Sequence, residues 1–174
     1  MTLNDAILLI QNENITDVRK SVWADLGCGS GIFTFALASL LNEESIVYAI
    51  DKNISSFKIN PSVKKVFVKP IELDFENAVL PFKNIDGMLM ANSLHFVKNK
   101  KMFLEKIKHY LNKNGRFLIV EYDIEIANRW VPYPISFLLL KEMFNDAGYS
   151  LVTKINERPS AFNTGNMYSA LIQT

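Results

Sequence analysis

The chain has a single cysteine, Cys28, in 174 residues. An internal disulfide framework is therefore excluded, and a reducing, cytoplasmic setting is expected. Charge of one sign is also lacking. The net charge of +1 supplies no field to draw in nucleic acid or an acidic membrane surface. Long apolar runs are missing too. The longest, 135-ISFLLL-140, is far short of the ~20 residues that cross a bilayer. Residues 1–20 carry Asn4, Asp5, Gln11 and Glu13 where a secretory signal needs an unbroken apolar core. No repeat or low-complexity tract interrupts the chain. What remains is an ordinary globular composition, 49% apolar and 21% charged, read as one domain over 1–174 with enough length for a real core.

Patterning gives an alternating order of elements. Helical spacing marks 3–12, and compact β-branched or apolar runs mark strands at 22–26, 46–51, 63–69, 85–92 and 116–123. Helices are expected at 30–41, at 100–112 with Gly115 closing it, and at 134–147 ended by Gly148. Strands that alternate with helices imply a doubly wound, mostly parallel sheet covered on both faces. The last two apolar runs, 149–155 and 167–173, are separated too briefly for a helical crossover, so an antiparallel hairpin is expected. The expected organisation is a short N-terminal helix and linker (1–20), a cofactor-binding half (21–123) and a substrate-side half with the hairpin (124–174).

Between the first strand and its helix lies 23-WADLGCGSGIF-33, with glycines at 27, 29 and 31. Glycines there let backbone approach a ligand through angles that side chains forbid. A dinucleotide fingerprint would read G-x-G-x-x-G, but Ile32 stands where its third glycine belongs. Acids recur near the strand ends: Asp25, Asp51 and Asp74. Asp51 follows Gly31 by 20 residues, the interval at which an acid meets ribose hydroxyls in nucleotide-binding folds. Three carboxylates oppose a pyrophosphate and suit a cationic ligand. S-adenosylmethionine, with a ribose, a sulfonium and an ammonium, meets both requirements.

The succession 25-DLGCGSG-31, Asp51, 73-LDF-75 and 85-IDGMLMANSLHFV-97 resembles the ordered motifs of class I S-adenosylmethionine-dependent methyltransferases. The likeness spans roughly residues 20–123, and the terminal hairpin is similar to that family's ending. It implies a seven-stranded Rossmann-like methyltransferase fold and S-adenosylmethionine as cofactor; a metal-dependent site would want several oxygen ligands across the loops, and Asn92 and Asp123 alone do not supply them, so no metal is expected. By the resemblance, Asp25, Gly27 and Gly29 line the methionine end, with Cys28 carried in the same turn. Asp51 takes the ribose hydroxyls, Asp74 the adenine amino group with Phe75 beside it, and Asn92 lies near the methionine amine. One residue departs from the family: Lys52 replaces an apolar residue that packs on adenine, leaving its methylene stem to cover the ring.

For the chemistry, His95 is the first candidate to accept a proton from the methyl acceptor, since its reference pKa lies near neutrality. The alternative is a histidine that shapes the pocket or caps the next helix. Tyr122 and Asp123 stand behind it as candidates, and Trp130 and Tyr133 form either an aromatic lid or ordinary loop packing. Cys28 reads as a small buried thiol, and 98-KNKK-101 as a solvated face. The reaction expected is transfer to a small-molecule O, N or C nucleophile. The rival readings are a cofactor- or partner-binding module without transfer, an RNA or protein methyltransferase, and a nicotinamide oxidoreductase. The substrate lid is left to the 123–134 loop, a second subunit in a homodimer, or a partner protein.

Overall fold

A computed structural model describes residues 1–16, 19–60, 65–160 and 165–173. Seven strands form one sheet in the order β3-β2-β1-β4-β5-β7-β6: β1 (Val22–Leu26), β2 (Ile46–Asp51), β3 (Phe67–Glu72), β4 (Ile85–Ala91), β5 (Leu111–Tyr122), β6 (Leu151–Pro159) and β7 (Asn166–Gln173). The helices are α1 (Leu3–Ile10), α2 (Ile32–Leu40), α3 (Lys100–Ile107) and α4 (Phe137–Asp146). Neighbours from β3 through β5 pair in parallel, and β7 runs antiparallel to both β5 and β6. The expected terminal hairpin is present, and the order reverses between β1 and β4. Such a switch point opens a crevice beyond the carboxyl ends of the strands.

Side-chain alternation divides the core into two layers. Trp23, Val47, Leu89, Leu118 and Val120 face Ala6, Leu9 and Ile10 of α1 and Phe33, Ala36 and Leu37 of α2. The intervening Ala24, Leu26, Met88, Met90, Phe117 and Ile119 face Phe103, Leu104 and Ile107 of α3 and Leu140, Met143 and Phe144 of α4. Each fully buried side chain of this size contributes about 1.5–3 kcal/mol of transfer free energy, so both faces hold the sheet rigid beneath its carboxyl rim.

Three expectations need correction. The strand expected over 63–69 is displaced to Phe67–Glu72, and residues 63 and 64 lie outside the described residues. β3 is an edge strand, exposed along much of its length and carrying Pro70, which an edge tolerates. Its register comes from pairing with β2, from Ile46↔Phe67 to Asp51↔Glu72, not from its own weak alternation. The helix expected over 100–112 stops at Ile107 and passes through a 3-10 turn, Lys108–Tyr110, into β5. Gly115 accordingly lies within β5 and not in a left-handed helix stop. Asn112 is tied to the start of β4 by its amide donating to Asp86 (2.9 Å), which draws this segment into the sheet. Gly115 is needed for packing, since a Cβ there would lie 2.7 Å from Leu111 Cβ. Gly148 does close α4 as expected: its φ is +92°, and the Tyr149 N–H donates to the Phe144 carbonyl (3.0 Å).

Candidate functional site

The glycine turn leaves β1 and opens α2. Gly27, Gly29 and Gly31 all have positive φ, at 86°, 51° and 90°. A side chain at Gly27 is excluded twice, because a Cβ would also stand 2.4 Å from Ser93 Cβ. Ser93 itself is fixed by its hydroxyl donating to the Leu26 carbonyl (2.6 Å). The turn is stitched to the end of β2: Gly27 and Cys28 N–H both donate to Ile50 O (2.7 and 3.0 Å). The Gly29 N–H donates to Asp51 Oδ2 (2.9 Å), and Asp51 Oδ1 accepts the Asn53 N–H (3.1 Å). Asp51 therefore stands against the turn with acceptor capacity to spare, since each carboxylate oxygen offers two lone pairs.

Asp25 is buried, and its Oδ2 accepts the Thr34 hydroxyl (2.6 Å). Its Oδ1 has no partner among the described residues. Burial pushes the Asp25 carboxyl up to about 7; the Thr34 hydrogen bond opposes the shift and the charge of Asp51 adds to it. Burial also drives the Cys28 thiol upward, reinforced by Asp25 and Asp51. A thiol so held stays protonated and unreactive.

Beyond β3, both oxygens of Asp74 are engaged, with one acceptor position left on Oδ1. Its Oδ1 accepts the Glu76 N–H (3.0 Å), and its Oδ2 accepts the Asn77 amide (2.9 Å) and faces Lys52 Nζ (3.2 Å). The Asn77 hydrogen bond chiefly, with help from Lys52, holds the Asp74 carboxyl below the usual carboxylate range. Lys52 thus reaches across from β2 to β3, its amine half in solvent. Phe75 is buried beside the glycine turn and tilts against Phe103 (5.7 Å between centroids).

The tips of β4 and β5 supply the other half of the rim. Asn92 adopts φ 54°, and its N–H donates to Val120 O (2.8 Å). Its Oδ1 is the second buried acceptor here without a partner among the described residues. His95 sits in a 3-10 turn, Leu94–Phe96, and is 3% exposed. Glu121, 1% exposed on β5, grips it twice: Oε1 accepts the His95 backbone N–H (3.0 Å) and Oε2 meets His95 Nδ1 (2.7 Å). The Tyr122 ring lies 6.1 Å from the His95 ring, and its hydroxyl is pushed up by burial and then by Glu121. Asp123 is committed elsewhere: Oδ1 accepts the Phe137 N–H at the start of α4 (2.8 Å), and Oδ2 faces Lys154 (3.4 Å).

The loop above is pinned to this centre. The Tyr133 N–H donates to His95 O (3.0 Å), while Lys100 Nζ donates to Tyr133 O (2.6 Å) and Val97 O (3.0 Å). Lys100 is therefore drawn inward, whereas Lys101 lies on the surface paired with Asp146 (2.8 Å). Trp130 is 73% exposed with the Arg129 guanidinium 5.4 Å from its ring centroid. It is not packed down as a lid. Among the described residues no three His, Cys, Asp or Glu side chains converge as metal ligands, and no helix is long and apolar enough to span a membrane.

Glu121 is not among the residues that the sequence motifs single out. A signal for it does exist: a lone acid inside the apolar strand 116-RFLIVEY-122 must find a partner, because an unpaired buried charge is prohibitive. Which partner, the sequence does not say.

A seven-stranded sheet of this order, with a glycine turn and acids at its carboxyl rim, defines a class I S-adenosylmethionine-dependent methyltransferase fold. The family model described as "Methyltransferase domain" matches residues 19–149, and the chain belongs to that family. Among solved structures it is similar to a SAM-dependent methyltransferase from Aquifex aeolicus (17% identical, TM-score 0.64, covering 99% of this chain and 98% of that one). It is similar also to the 1,6-didemethyltoxoflavin-N1-methyltransferase of Burkholderia thailandensis, solved with its substrate and S-adenosylhomocysteine (17%, 0.69, 99% and 77%). A third is a SAM-dependent methyltransferase from Methanosarcina mazei (15%, 0.69, 95% and 99%). At such identities the likeness is one of fold. No curated protein sequence matches the chain.

Proposed function

We propose that the chain transfers a methyl group from S-adenosylmethionine to a small-molecule nucleophile, with the carboxyl rim as its active site. The observation that carries this reading is the pair of buried acceptors without donors, Asp25 Oδ1 and Asn92 Oδ1, at the tips of the two central strands. A buried acceptor left unpaired costs about 1–3 kcal/mol, and a ligand bearing N–H donors and positive charge would remove that cost at both. A phosphate-bearing ligand would worsen it. In this reading Asp25, Gly27, Cys28, Gly29 and Asn92 receive the methionine end, Asp51 the ribose, and Lys52, Asp74 and Phe75 the adenine.

The cofactor supplies the methyl carbon on a sulfonium that leaves as a neutral thioether. The chain's part is placement and proton handling. The glycine turn fixes the ligand without side chains in the way, and alignment of reacting groups can be worth roughly 7–11 kcal/mol. His95 accepts a proton where the acceptor arrives protonated. Tyr122 walls the same space, and Asp123 anchors the start of α4 beneath the loop. A small-molecule acceptor is also what the Burkholderia enzyme of the same fold carries.

Methyl-labelled S-adenosylmethionine incubated with the chain and a broad panel of small phenols, amines and carbon acids should yield a labelled organic product. Saturable cofactor binding with no labelled product across the panel would turn the reading into that of a binding module.

A further inference from the structure

Asp74 heads a single helical turn that stands alone between β3 and β4. Its carbonyl accepts the Ala78 N–H (2.8 Å) and the Asn77 N–H (3.2 Å), and its Oδ1 accepts the Glu76 N–H (3.0 Å) as a cap. One turn does not persist in water on such bonds, because closing it fixes several residues for little return. It also ends with unpaired carbonyls and the negative end of its dipole. Lys106 closes that end. From α3 its Nζ donates to Ala78 O (2.8 Å) and Glu76 O (2.9 Å) and reaches Phe75 O (3.5 Å). An ammonium carries three N–H donors, so it matches three converging carbonyls, which a neutral amide with two cannot. Phe103, three residues earlier on the same face of α3, meets the Phe75 ring (5.7 Å between centroids). The ammonium binds the far end of the turn and Asp74 forms its near end. Lys106 therefore acts on the carboxylate through the backbone between them.

We propose that Lys106 is a positioning residue: by closing this turn it aims the Asp74 carboxylate at the amino group of the cofactor's base, and so sets a preference for adenine over hypoxanthine. The proposal rests on the methyltransferase reading above. The Asn77 amide and Lys52 Nζ both meet Oδ2 (2.9 and 3.2 Å), and the Glu76 N–H meets Oδ1, so the place left for a further donor is on Oδ1. That place keeps its direction only while Glu76 and Asn77 stay in the turn. Lys106 holds them there through the Glu76 carbonyl and the Ala78 carbonyl just beyond Asn77. Hypoxanthine presents a carbonyl oxygen where adenine has its amino group, and an acceptor facing a carboxylate is repelled. With Lys106 removed the turn opens, adenine loses a partner and hypoxanthine loses an obstacle. The two bases respond differently, which a general loosening of the fold would not produce.

Lys106→Met keeps most of the stem and removes the donors. The full chain is titrated in a calorimeter with S-adenosylhomocysteine and with its hypoxanthine analogue, S-inosylhomocysteine. K106M should bind the first roughly tenfold more weakly, the scale of a charge-assisted hydrogen bond, and the second within about threefold of the wild type. Equal losses on both, or none on either, would overturn the proposal. Lys106→Ala adds a chemical rescue. It leaves the space of n-propylammonium, which restores stem and donors together, whereas tetramethylammonium brings the same charge with no N–H. At equal ionic strength the first should recover the S-adenosylhomocysteine affinity of K106A and the second should not. Recovery by both, or by neither, contradicts the role. A further readout needs no variant to fold. In the ligand-free wild type the Asn77 and Ala78 amides should exchange with solvent at least about tenfold more slowly than in an open chain, and exchange at the open-chain rate overturns the preformed turn. A wild type that binds no S-adenosylhomocysteine would instead remove the methyltransferase reading, while the amide exchange still reports on the turn that Lys106 closes.

Discussion

The two halves of the carboxyl rim are built on different plans. On the β1–β3 side the binding groups are backbone N–H donors and carboxylates close in sequence to the turns that aim them. Asp51 accepts the Asn53 N–H, two residues on (3.1 Å), and Asp74 is satisfied by Glu76 and Asn77, two and three residues on. On the β4–β5 side the key contacts join residues far apart in sequence. His95 is held by Glu121, 26 residues away, and Tyr133 is held by the His95 carbonyl. Under the proposed function, the first plan suits a ligand that never varies, and the second would let an acceptor pocket change without disturbing the cofactor site.

That difference explains what is legible in the sequence. The glycine beat, the acids at or just beyond the ends of the first three strands and the hairpin are short-range patterns, and all appear where the sequence places them. The candidate cofactor residues on this side, and Asn92, are read through the family resemblance that those patterns carry, and His95 from its place just past the fourth strand. Glu121 does not, because a lone acid in a strand announces that it has a partner without saying which. Asp123 reads as a base from its position after β5 alone. Its engagement with the Phe137 N–H and Lys154 depends on where α4 and β6 fold back, which no local pattern encodes. The displaced strand β3 and the buried Gly115 have the same origin, since pairing with β2 and β4 overrides local preference.

The sharpest way to break the first half is Gly27→Ala. A left-handed φ costs a side-chain-bearing residue about 1–2 kcal/mol, and the collision with Ser93 adds overpacking of roughly 1–3 kcal/mol. Denaturant unfolding should show a loss of about 2–5 kcal/mol, with cofactor binding abolished. A loss below about 1 kcal/mol would mean that the turn is not as rigid as described.

Next in size is Asp25. Its folded pKa of about 7 lies above the ordinary carboxyl value of 3.8. Its contribution to stability is therefore fully present below about 4 and lost as pH rises through about 7. At 1.36 kcal/mol per pKa unit the loss is on the order of 4 kcal/mol. Asp25→Asn should remove that slope, seen as the difference between wild-type and variant stabilities across the range. Affinity for the cationic cofactor should rise over the same interval in the wild type only, because binding favours the ionised form.

On the second side, Asp123→Ala removes an acceptor at the start of α4, and loss of such a cap costs about 1 kcal/mol. Thermal unfolding should shift by a corresponding few degrees, with transfer rates largely preserved. A rate loss as severe as that of His95→Ala would return Asp123 to the chemistry.

The central claim is that the β1–β3 rim holds S-adenosylmethionine through its ribose acid. Calorimetric titration of the wild type and Asp51→Ala with S-adenosylmethionine, S-adenosylhomocysteine and NAD tests it directly. The account predicts saturable binding of both adenosyl compounds and none of NAD. Asp51→Ala should bind them roughly 10–100-fold more weakly, the worth of hydrogen bonds to a charged group. Binding that is unchanged in the variant, or absent from the wild type, would contradict it.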